Sequence, residues 1–411
     1  MSENRKPVYL VMVTGDTNHN KYYRMIPDAD GAHFTVEFGR VGAEPQKGIY
    51  PMSHWDKKYK EKVKKGYADQ TYLVEDLISV SKPKKEKREY KEIEDKAIAE
   101  IVDRLMAMAR QKIQQNYKVK SNAVTQAMID EAQKIIDELL NISDVPKFND
   151  VLLKLFAVIP RKMSNVDDYL ARNKDNFKRI IKDEQDLLDV MRGQVITHEV
   201  EDTTSEVNDD NPVHNETILE AMGLTIEHVS EEEINLIKSK LGDCQDKFYQ
   251  AWKVTNAKTQ KRFDDFIKAE DIKVTKLFWH GSRNENWWSI INTGLVLRPT
   301  NVVITGKMFG YGTYYSPKAR KSLGYTSLSG SYWAHGSSNS AFMALMDVAY
   351  GTPFDVYSFD GKYTSFNYDK LQKACKGANC VHAHAGAMLR NDEVIVYKEE
   401  QSTIKYLVEL R

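Results

Sequence analysis

Residues 277–282 read LFWHGS, an apolar run of β-forming residues that leads directly into a histidine, a glycine and a serine. Leucine, phenylalanine and tryptophan in succession predict a buried strand that ends at His280, Gly281 and Ser282. Taken alone, a histidine that closes a strand is most simply a structural hydrogen-bonding residue. What the stretch does therefore depends on the composition and motifs around it.

The composition is that of a chain with ordinary globular cores. It has 411 residues, 59 basic and 59 acidic, with 41% hydrophobic and 10% aromatic residues. Several domains are expected. The overall charge gives no information about nucleic-acid binding, so any basic surface must be local. No apolar run approaches the ~18–20 residues of a membrane span, and the N-terminal MSENRKPVYL lacks a signal-peptide core. Three cysteines argue against a disulfide scaffold. We expect an intracellular protein that does not bind a membrane.

Residues 1–80 are predicted to form a small α+β domain. A lysine-rich helix is expected from Ser53, as its N-cap, to about Lys65, with Gly66 as the C-cap. Strands rich in β-branched and aromatic residues are predicted over VYLVMVT (8–14) and FTVEFGRVG (34–42).

The middle of the chain is predicted to be an all-α bundle between two polar connections. Residues 81–91, SKPKKEKREYK, form a basic linker, and the acidic, polar residues 194–215 form a second one. Between them, apolar residues recur at helical spacing through residues 92–193. The last predicted helix begins near Asn165, a candidate N-cap, and ends at Gly193.

Residues 216–411 carry several motifs in a fixed order. LFWHGS is followed by a glycine-rich loop into GTYYS, by KSLGY and, much later, by NDEVIVY. A His-Gly-Ser triplet alone is a weak signal, whereas four elements in order are a strong one. This half of the chain resembles the catalytic domain of the poly(ADP-ribose) polymerases. The resemblance implies a mixed α/β ADP-ribosyltransferase domain with antiparallel-rich sheets, and a multidomain α+β chain overall.

The resemblance also implies that NAD⁺ is the donor substrate and that no metal is needed. Transfer of ADP-ribose breaks the nicotinamide–ribose bond through an oxocarbenium-like transition state. Backbone groups of Gly281 can approach the nicotinamide carboxamide because glycine has no Cβ, with the Ser322 hydroxyl as a second contact. Tyr325 would stack on the pyridinium ring, with Tyr314 on its other side.

Other residues would hold the riboses and the developing charge. His280 and Ser282 would hydrogen-bond ribose hydroxyls. A carboxylate bonded to the nicotinamide-ribose 2′-OH would stabilise positive charge and polarise the acceptor, and Glu393 fits that role. Its neighbour Asp392 is the alternative, but the spacing to VIVY favours Glu393.

By resemblance, His280, Tyr314 and Glu393 form the family's His-Tyr-Glu catalytic signature. Lys321 lies where family members carry a lysine near the reacting ribose. The glutamate implies that a bound ADP-ribose can be elongated into a polymer. Single transfer is the alternative. Each residue also has a structural interpretation: tyrosine pairs usually lie in cores, and a glutamate entering a strand usually faces solvent.

The N-terminal region resembles the WGR domain found beside such catalytic domains. The matching stretches are VEFGRVGAE (36–44) and KKGYADQT (64–71). Phe38 stands where the family has the tryptophan that names the domain, and it could still stack on a terminal base. Arg40 could pair with a phosphate or with an adjoining domain. Lys57 and Lys64 belong to a basic helix suited to a phosphate backbone, or simply to a solvated face. DNA ends or nicks are the expected partner.

The helical region resembles the family's regulatory domain, more by pattern than by sharp motif. In the family this bundle restrains donor access until DNA binding loosens it. We expect the final helix to lie against the donor site. Gln185, Asp186 and Asp189 are candidate polar contacts there, while Leu187 and Leu188 are expected to pack inside.

The predicted function is NAD⁺-dependent poly-ADP-ribosylation of proteins, including the enzyme itself, stimulated by DNA ends or nicks in the DNA damage response. A mono-ADP-ribosyltransferase and a DNA-end scaffold with little transferase activity remain alternatives. A related NAD⁺-using RNA 2′-phosphotransferase is disfavoured by the WGR-like region and by Glu393. The location would be nuclear in a eukaryote and cytoplasmic or nucleoid-associated in a bacterium.

One cysteine–histidine pattern leaves a metal site open. Cys375 and Cys380 precede His382 and His384, which invites a zinc interpretation, although H-x-H is tighter than common structural zinc spacings. A polar loop near the acceptor side is the alternative.

Overall fold

The chain folds into two compact units of mixed α+β structure. A computed structural model describes residues 5–74, 89–116, 124–202, 213–297, 308–386 and 389–411. The units are Met1–Lys87 with Arg110–Asp202, and Arg88–Ala109 with Thr203–Arg411. Antiparallel-rich sheets confirm the predicted fold class. The domain boundaries stay a prediction, and most of the predicted linker 81–91 lies outside the described residues. Among the described helices, none has the length and hydropathy needed to cross a bilayer.

The first unit contains a five-stranded antiparallel sheet. Its strands are β1 (Val8–Thr14), β2 (His19–Pro27), β3 (His33–Arg40), β4 (Gln46–Pro51) and β5 (Ala68–Asp69). They pair in the order β4-β3-β2-β1-β5. Strand alternation places Leu10, Met25 and Phe34 on one buried face. The strand predicted at 8–14 is confirmed, and the one predicted at 34–42 is present but ends at Arg40.

The lysine-rich helix α1 (Trp55–Lys64) begins two residues later than predicted. Ser53 lies in a preceding 3₁₀ turn, and the N-cap is His54 without a side-chain cap bond. The predicted N-cap at Ser53 is thus wrong. The buried Trp55 packs edge-on against Phe34, with ring centroids 5.0 Å apart, so packing on the sheet rather than capping sets the helix start. Gly66 follows the helix with a φ of 90°, which glycine adopts at little cost.

Four further helices follow along the chain. Most of α2 (Lys96–Asn116) belongs to the second unit, whereas α3 (Gln126–Leu139), α4 (Val145–Val158) and α5 (Asp175–Asp202) belong to the first. The prediction for α5 is wrong at both ends. Residues Val166–Tyr169 form a separate 3₁₀ turn, and α5 continues through Gly193 to Asp202. Gly193 is buried, as are Met191 and Val195 on the same helix, and burial of this stretch can offset the ~1 kcal/mol that a helical glycine costs. Part of the predicted linker 194–215 is consequently helix.

The side chain of Gln185 lies inside the helical part of this unit. Its amide exchanges hydrogen bonds of 2.8 and 2.9 Å with Gln133 of α3. It also donates to Asp189 at 3.2 Å. Leu187 and Leu188 are buried as predicted. Gln185 therefore ties α5 to α3, and its contact with the donor site stays a prediction.

The second unit is built from two larger sheets and a short parallel pair. The strands are β6 (Glu89–Lys91), β7 (Val213–Thr217), β8 (Leu224–His228), β9 (Phe248–Asn256), β10 (Lys276–Gly281), β11 (Thr313–Tyr315), β12 (Ala341–Val348), β13 (Pro353–Val356), β14 (Cys380–Ala383), β15 (Glu393–Val396) and β16 (Ser402–Leu410). The helices are α6 (Ile218–Met222), α7 (Glu231–Leu241), α8 (Ala257–Ala269), α9 (Trp287–Thr293), α10 (Ala319–Leu323) and α11 (Tyr368–Ala374).

The two sheets meet where the functional motifs lie. One has the order β10-β12-β16-β9-β8 and is antiparallel throughout. The other has the order β11-β15-β14-β13, with β13 and β14 parallel. Strands β10 and β11 are therefore edge strands of different sheets, and every predicted motif of the catalytic half lies on or beside them.

Candidate active site

A two-residue bridge joins the sheets at the end of LFWHGS. The amide of Trp279 donates to the carbonyl of Ser316 at 2.8 Å, and the amide of Ser316 donates back at 3.0 Å. Trp279 is fully buried, and its indole N–H donates to the carbonyl of Lys240 at 2.9 Å. The apolar residues before His280 thus anchor the strand in the core, and the bridge brings the His-Gly-Ser triplet beside GTYY.

The surroundings of His280 favour the neutral imidazole. Its Nδ1 lies 3.1 Å from the carbonyl oxygen of Tyr314, and its ring packs edge-on against Trp287 and Tyr315. Burial lowers the pKa of His280, and the bond to the Tyr314 carbonyl acts in the opposite direction. Because a carbonyl only accepts, Nδ1 carries the proton and Nε2 is left as an acceptor. Such a nitrogen can bind a ribose hydroxyl.

Gly281 is required by the backbone that passes beside it. A Cβ at this position would lie 1.9 Å from the carbonyl oxygen of Ser322. The hydroxyl of Ser322 is buried and donates to the Trp279 carbonyl at 3.1 Å. The Ser322 hydroxyl therefore connects α10 to β10 through this hydrogen bond. The hydroxyl of Ser282 accepts a 3.0 Å bond from Asn286.

Two aromatic residues predicted for the nicotinamide have different surroundings. The Tyr314 hydroxyl accepts from the amide of Phe309 and donates to the carbonyl of Gly310, both at 3.0 Å. It therefore orders the end of the glycine-rich loop. The ring of Tyr325 is half-buried and lies nearly parallel to Trp333, with centroids 6.2 Å apart. Sequence reasoning missed Trp333. The aromatic pair Tyr332-Trp333, shortly after KSLGYTS, is the feature of the sequence that could have indicated it.

Glu393 is a buried carboxylate in contact with Lys321. Its side chain is 5% exposed, Lys321 Nζ binds Oε1, and Oε2 has no hydrogen-bond partner among the described residues. Burial lowers the pKa of Lys321 to about 8, while the nearby Asp392 carboxylate acts in the opposite direction. A buried oxygen without a donor is expected to bind a ligand group or water.

The neighbouring Asp392 faces a different set of groups. Its carboxylate accepts from the amide of Ala385 at 2.8 Å and lies 3.1 Å from Nε2 of His382. Burial acts to raise the pKa of Asp392, but these contacts together outweigh it and the pKa is lowered. Of the two adjacent carboxylates, Glu393 is thus the one beside Lys321, in agreement with the choice made from the VIVY spacing. Its catalytic role stays a prediction.

Strand register places Tyr314 and Glu393 on one face of the smaller sheet. Tyr314 pairs with Ile395, and Glu393 is two residues before Ile395 on the same strand, so the three share a face of the sheet. The Trp279–Ser316 bridge adds His280 from the other sheet. The cluster offers an acceptor nitrogen, a carboxylate and aromatic rings, which can bind sugar hydroxyls and stabilise a developing cation.

The cysteine–histidine pattern does not assemble as a four-residue site. The described residues whose ligand atoms come together are Asp355, His382 and His384. Cys380 is buried, and its thiol donates to the carbonyl of Tyr350 at 3.3 Å. The aspartate across the sheet, rather than a cysteine, therefore completes the group.

In the first unit, Arg40 binds backbone groups of the same unit. Its guanidinium donates to the carbonyls of Asn18 at 2.9 Å, Met163 at 2.8 Å and Ser164 at 3.0 Å. The sequence suggested a phosphate or an adjoining domain as the partner of Arg40, and the structure shows contacts with the region after α4. A phosphate would have to compete with these bonds.

Phe38 and the lysines of α1 form a basic aromatic surface. The ammonium of Lys62 lies 4.2 Å from the ring centre of Tyr23 and 5.9 Å from that of Phe38. Cation–π contact of this kind holds the lysine stem in place, and burial lowers the pKa of Lys62. Lys57 and Lys64 on the same helix are exposed.

Two family models match the chain over these regions. The poly(ADP-ribose) polymerase catalytic domain matches residues 231–411, and the WGR domain matches residues 6–72. The catalytic half is therefore that of an NAD⁺-dependent ADP-ribosyltransferase, with NAD⁺ as a substrate. With the relatives described next, the chain belongs to the poly(ADP-ribose) polymerase family.

Three relatives illustrate the extent of similarity. The chain is 32% identical over 193 residues to poly(ADP-ribose) polymerase-like protein 100L of Invertebrate iridescent virus 6, over 45% of this chain and 99% of that protein. It is 23% identical over 392 residues to poly(ADP-ribose) polymerase 2-B of Oryza sativa subsp. japonica, over 85% of this chain and 61% of that protein. The match to human poly(ADP-ribose) polymerase 2 is 28% identical over 167 residues, over 34% of this chain and 27% of that protein.

Proposed function

We propose that this ADP-ribosyltransferase builds poly(ADP-ribose) on proteins, including itself, and that DNA ends or nicks stimulate it as part of a DNA damage response. Its location would be nuclear in a eukaryotic cell and cytoplasmic or nucleoid-associated in a bacterial one. The observation that carries the polymerase proposal is the buried Glu393 carboxylate with one oxygen left open beside Lys321.

The proposed donor site uses each neighbouring group for a different part of NAD⁺. The backbone of Gly281 binds the carboxamide, the ring of Tyr325 stacks on the pyridinium, and Nε2 of His280 accepts from a ribose hydroxyl. The proposal for Gly281 rests on its place at the end of the strand beside His280, since the space that a Cβ would take is filled by the Ser322 backbone.

Glu393 is proposed to act on both the donor and the acceptor. Accepting a hydrogen bond from the nicotinamide-ribose 2′-OH places negative charge near the anomeric carbon as nicotinamide departs. When the acceptor is a hydroxyl of a previously attached ADP-ribose, the same carboxylate can polarise it, which permits elongation. Lys321 balances the charge of Glu393 until the ligand is bound.

The proposal for DNA activation rests on the first unit. The WGR match and the exposed lysines of α1 support binding to a phosphate backbone. Arg40 links the sheet to residues Met163 and Ser164, which follow α4. DNA binding to the sheet would thus change the position of the helical residues that are proposed to restrain donor access.

Labelled NAD⁺ with and without nicked or blunt duplexes tests the proposal on a denaturing gel, with Glu393→Gln as the control. Ladders that need DNA and disappear in the control are expected. One discrete label per acceptor would instead identify a mono-ADP-ribosyltransferase. Labelling that is the same with and without DNA would refute only the proposal of activation by DNA. Absence of NAD⁺ turnover under every condition would favour a DNA-end scaffold.

A further inference from the structure

Two histidines and an aspartate converge on the outer strands of the smaller sheet. His382 and His384 are separated by one residue at the end of β14, so both side chains project to the same face. Asp355 pairs directly with His382 across the parallel β13–β14 ladder. The amide of His384 donates to the carbonyl of Val356 at 2.8 Å. The backbone of all three residues is therefore fixed by strand pairing or by a hydrogen bond to the neighbouring strand.

The side chains are close enough to share one small ligand. One nitrogen or oxygen from each of the three lies within 4.8 Å of the other two. Nε2 of His384 is 2.7 Å from Asp355 Oδ1. Ligand atoms on a tetrahedral zinc ion, at ~2.0–2.2 Å from the metal, are about 3.3 Å apart. Small side-chain rotations would bring the set into that geometry.

The orientation of both rings is set by further contacts. The hydroxyl of Tyr350 lies 2.8 Å from Nδ1 of His382, and Nε2 of the same ring lies 3.1 Å from Asp392. An ion bound at Nε2 would take the place of the Asp392 contact. The two imidazoles are stacked at 4.1 Å, and Tyr357 covers the outer face of His384 at 4.4 Å. Outer contacts of this kind hold ligating histidines in metal sites.

We propose that Asp355, His382 and His384 form a binding site for a divalent transition-metal ion of the zinc type. Two imidazoles and one carboxylate suit zinc, nickel or cobalt rather than magnesium or calcium. Both histidines are partly exposed and Asp355 is exposed, so an ion can reach the group from solvent. A water molecule would complete the coordination.

The site is separate from the groups proposed to bind NAD⁺, and it does not depend on the proposed function. It is nevertheless connected to them, since Asp392 contacts His382 at 3.1 Å and directly precedes Glu393. An ion would hold β13 and β14 together beside the strand that carries Glu393. Removing it would loosen that support without removing a donor-binding side chain.

The test is zinc binding by the full, chelator-treated chain, measured by competition with a coloured chelator. One zinc ion per chain is expected, with affinity reduced at least ~10-fold by Asp355→Asn or by His384→Gln. Cys375→Ser is the matched control and should bind as the unmodified chain does. Cobalt substitution should give visible bands without thiolate charge transfer, because no cysteine takes part.

Absence of saturable binding would overturn the proposal, as would equal affinity in the unmodified chain and both variants. Thiolate bands in the cobalt complex would assign the metal to the cysteines and would also overturn it. Melting curves establish that each variant is folded. If His384→Gln is unfolded, Asp355→Asn decides the question, because it is nearly isosteric and exposed.

Discussion

At Gly281 the backbone of α10 leaves no space for even a methyl group. Restoring van der Waals distance from a Cβ would push the Ser322 carbonyl on the order of 1.5 Å away. We expect Gly281→Ala to cost about 1–3 kcal/mol in the free energy of unfolding and to lower kcat/KM at least ~10-fold, because the strand end would be displaced. Urea denaturation and NAD⁺ turnover measure the two effects.

Gly361→Ala is the matched control, because no heavy atom lies within 4 Å of a Cβ built there. It should leave stability and turnover nearly unchanged. Equal effects of the two substitutions would show that the close approach at Gly281 is unimportant.

A second residue-scale prediction concerns the proton on Lys321. Burial lowers its pKa from 10.5 to about 8, so the ammonium beside Glu393 is lost as the pH rises through about 8. We expect kcat/KM to fall across this range, and Lys321→Arg to move the fall to higher pH, since guanidinium stays protonated. A pH–rate profile of both proteins checks this.

Stability should change in the opposite direction. The folded chain releases this proton at a lower pH than the unfolded chain, so the contribution of Lys321 to stability rises from about pH 8 to 10.5. Loss of activity through alkaline unfolding would therefore be distinguishable by melting curves. An unchanged alkaline limb in Lys321→Arg would remove the lysine from the explanation.

At the scale of elements, a buried ion pair ties the end of α4 to α5. Arg161, which follows α4, binds Glu184 of α5 at 2.9 Å through Nη1, and both side chains are less than 10% exposed. The carbonyl of Arg161 also accepts from Asn20 of the sheet at 2.8 Å. The pair thus joins three elements of the first unit.

Removing one partner should destabilise these elements strongly. Arg161→Met leaves an uncompensated buried carboxylate and should cost about 3–5 kcal/mol, while Arg161→Met with Glu184→Leu should recover much of the loss. Urea denaturation measures both. If the helices restrain donor access as proposed, DNA-free NAD⁺ turnover should rise in the single variant. Unchanged turnover in a destabilised variant would count against restraint by this region.

At the scale of the whole molecule, the proposed division of labour assigns DNA to the first unit and chemistry to the second. Changing Lys57 and Lys64 to Gln should weaken DNA stimulation and reduce the slope of log affinity against log salt by about 0.9 per lost phosphate contact. Activity without DNA should stay the same. Fluorescence anisotropy with nicked duplexes measures the slope.

Lys268→Gln is the control, since Lys268 is an exposed lysine of the second unit. It should leave both the affinity and its salt dependence unchanged. A similar loss in this variant would mean that overall charge, rather than the α1 surface, governs binding.

The amino-acid sequence by itself determined the strands near 8–14, near 34–42 and before His280, together with the order of motifs and the family. The β-forming residues of LFW favour a strand locally, and the spacing of His280, Tyr314 and Glu393 along the chain is independent of the packing around them. The choice of Glu393 over Asp392 also came from local spacing, and the contact with Lys321 agrees with it.

Only the tertiary structure decided which polar side chains are hydrogen-bonded within the protein. Arg40, Gln185 and Ser322 carry polar groups that a sequence pattern leaves free, whereas the fold binds them to Met163, Gln133 and Trp279. The observed ends of α1 and α5 also differ from the predicted ones, because burial of Trp55 and Gly193 outweighs the local capping signals. Asp355 meets His382 and His384 only through a parallel strand pair, a contact between distant residues that no local pattern encodes.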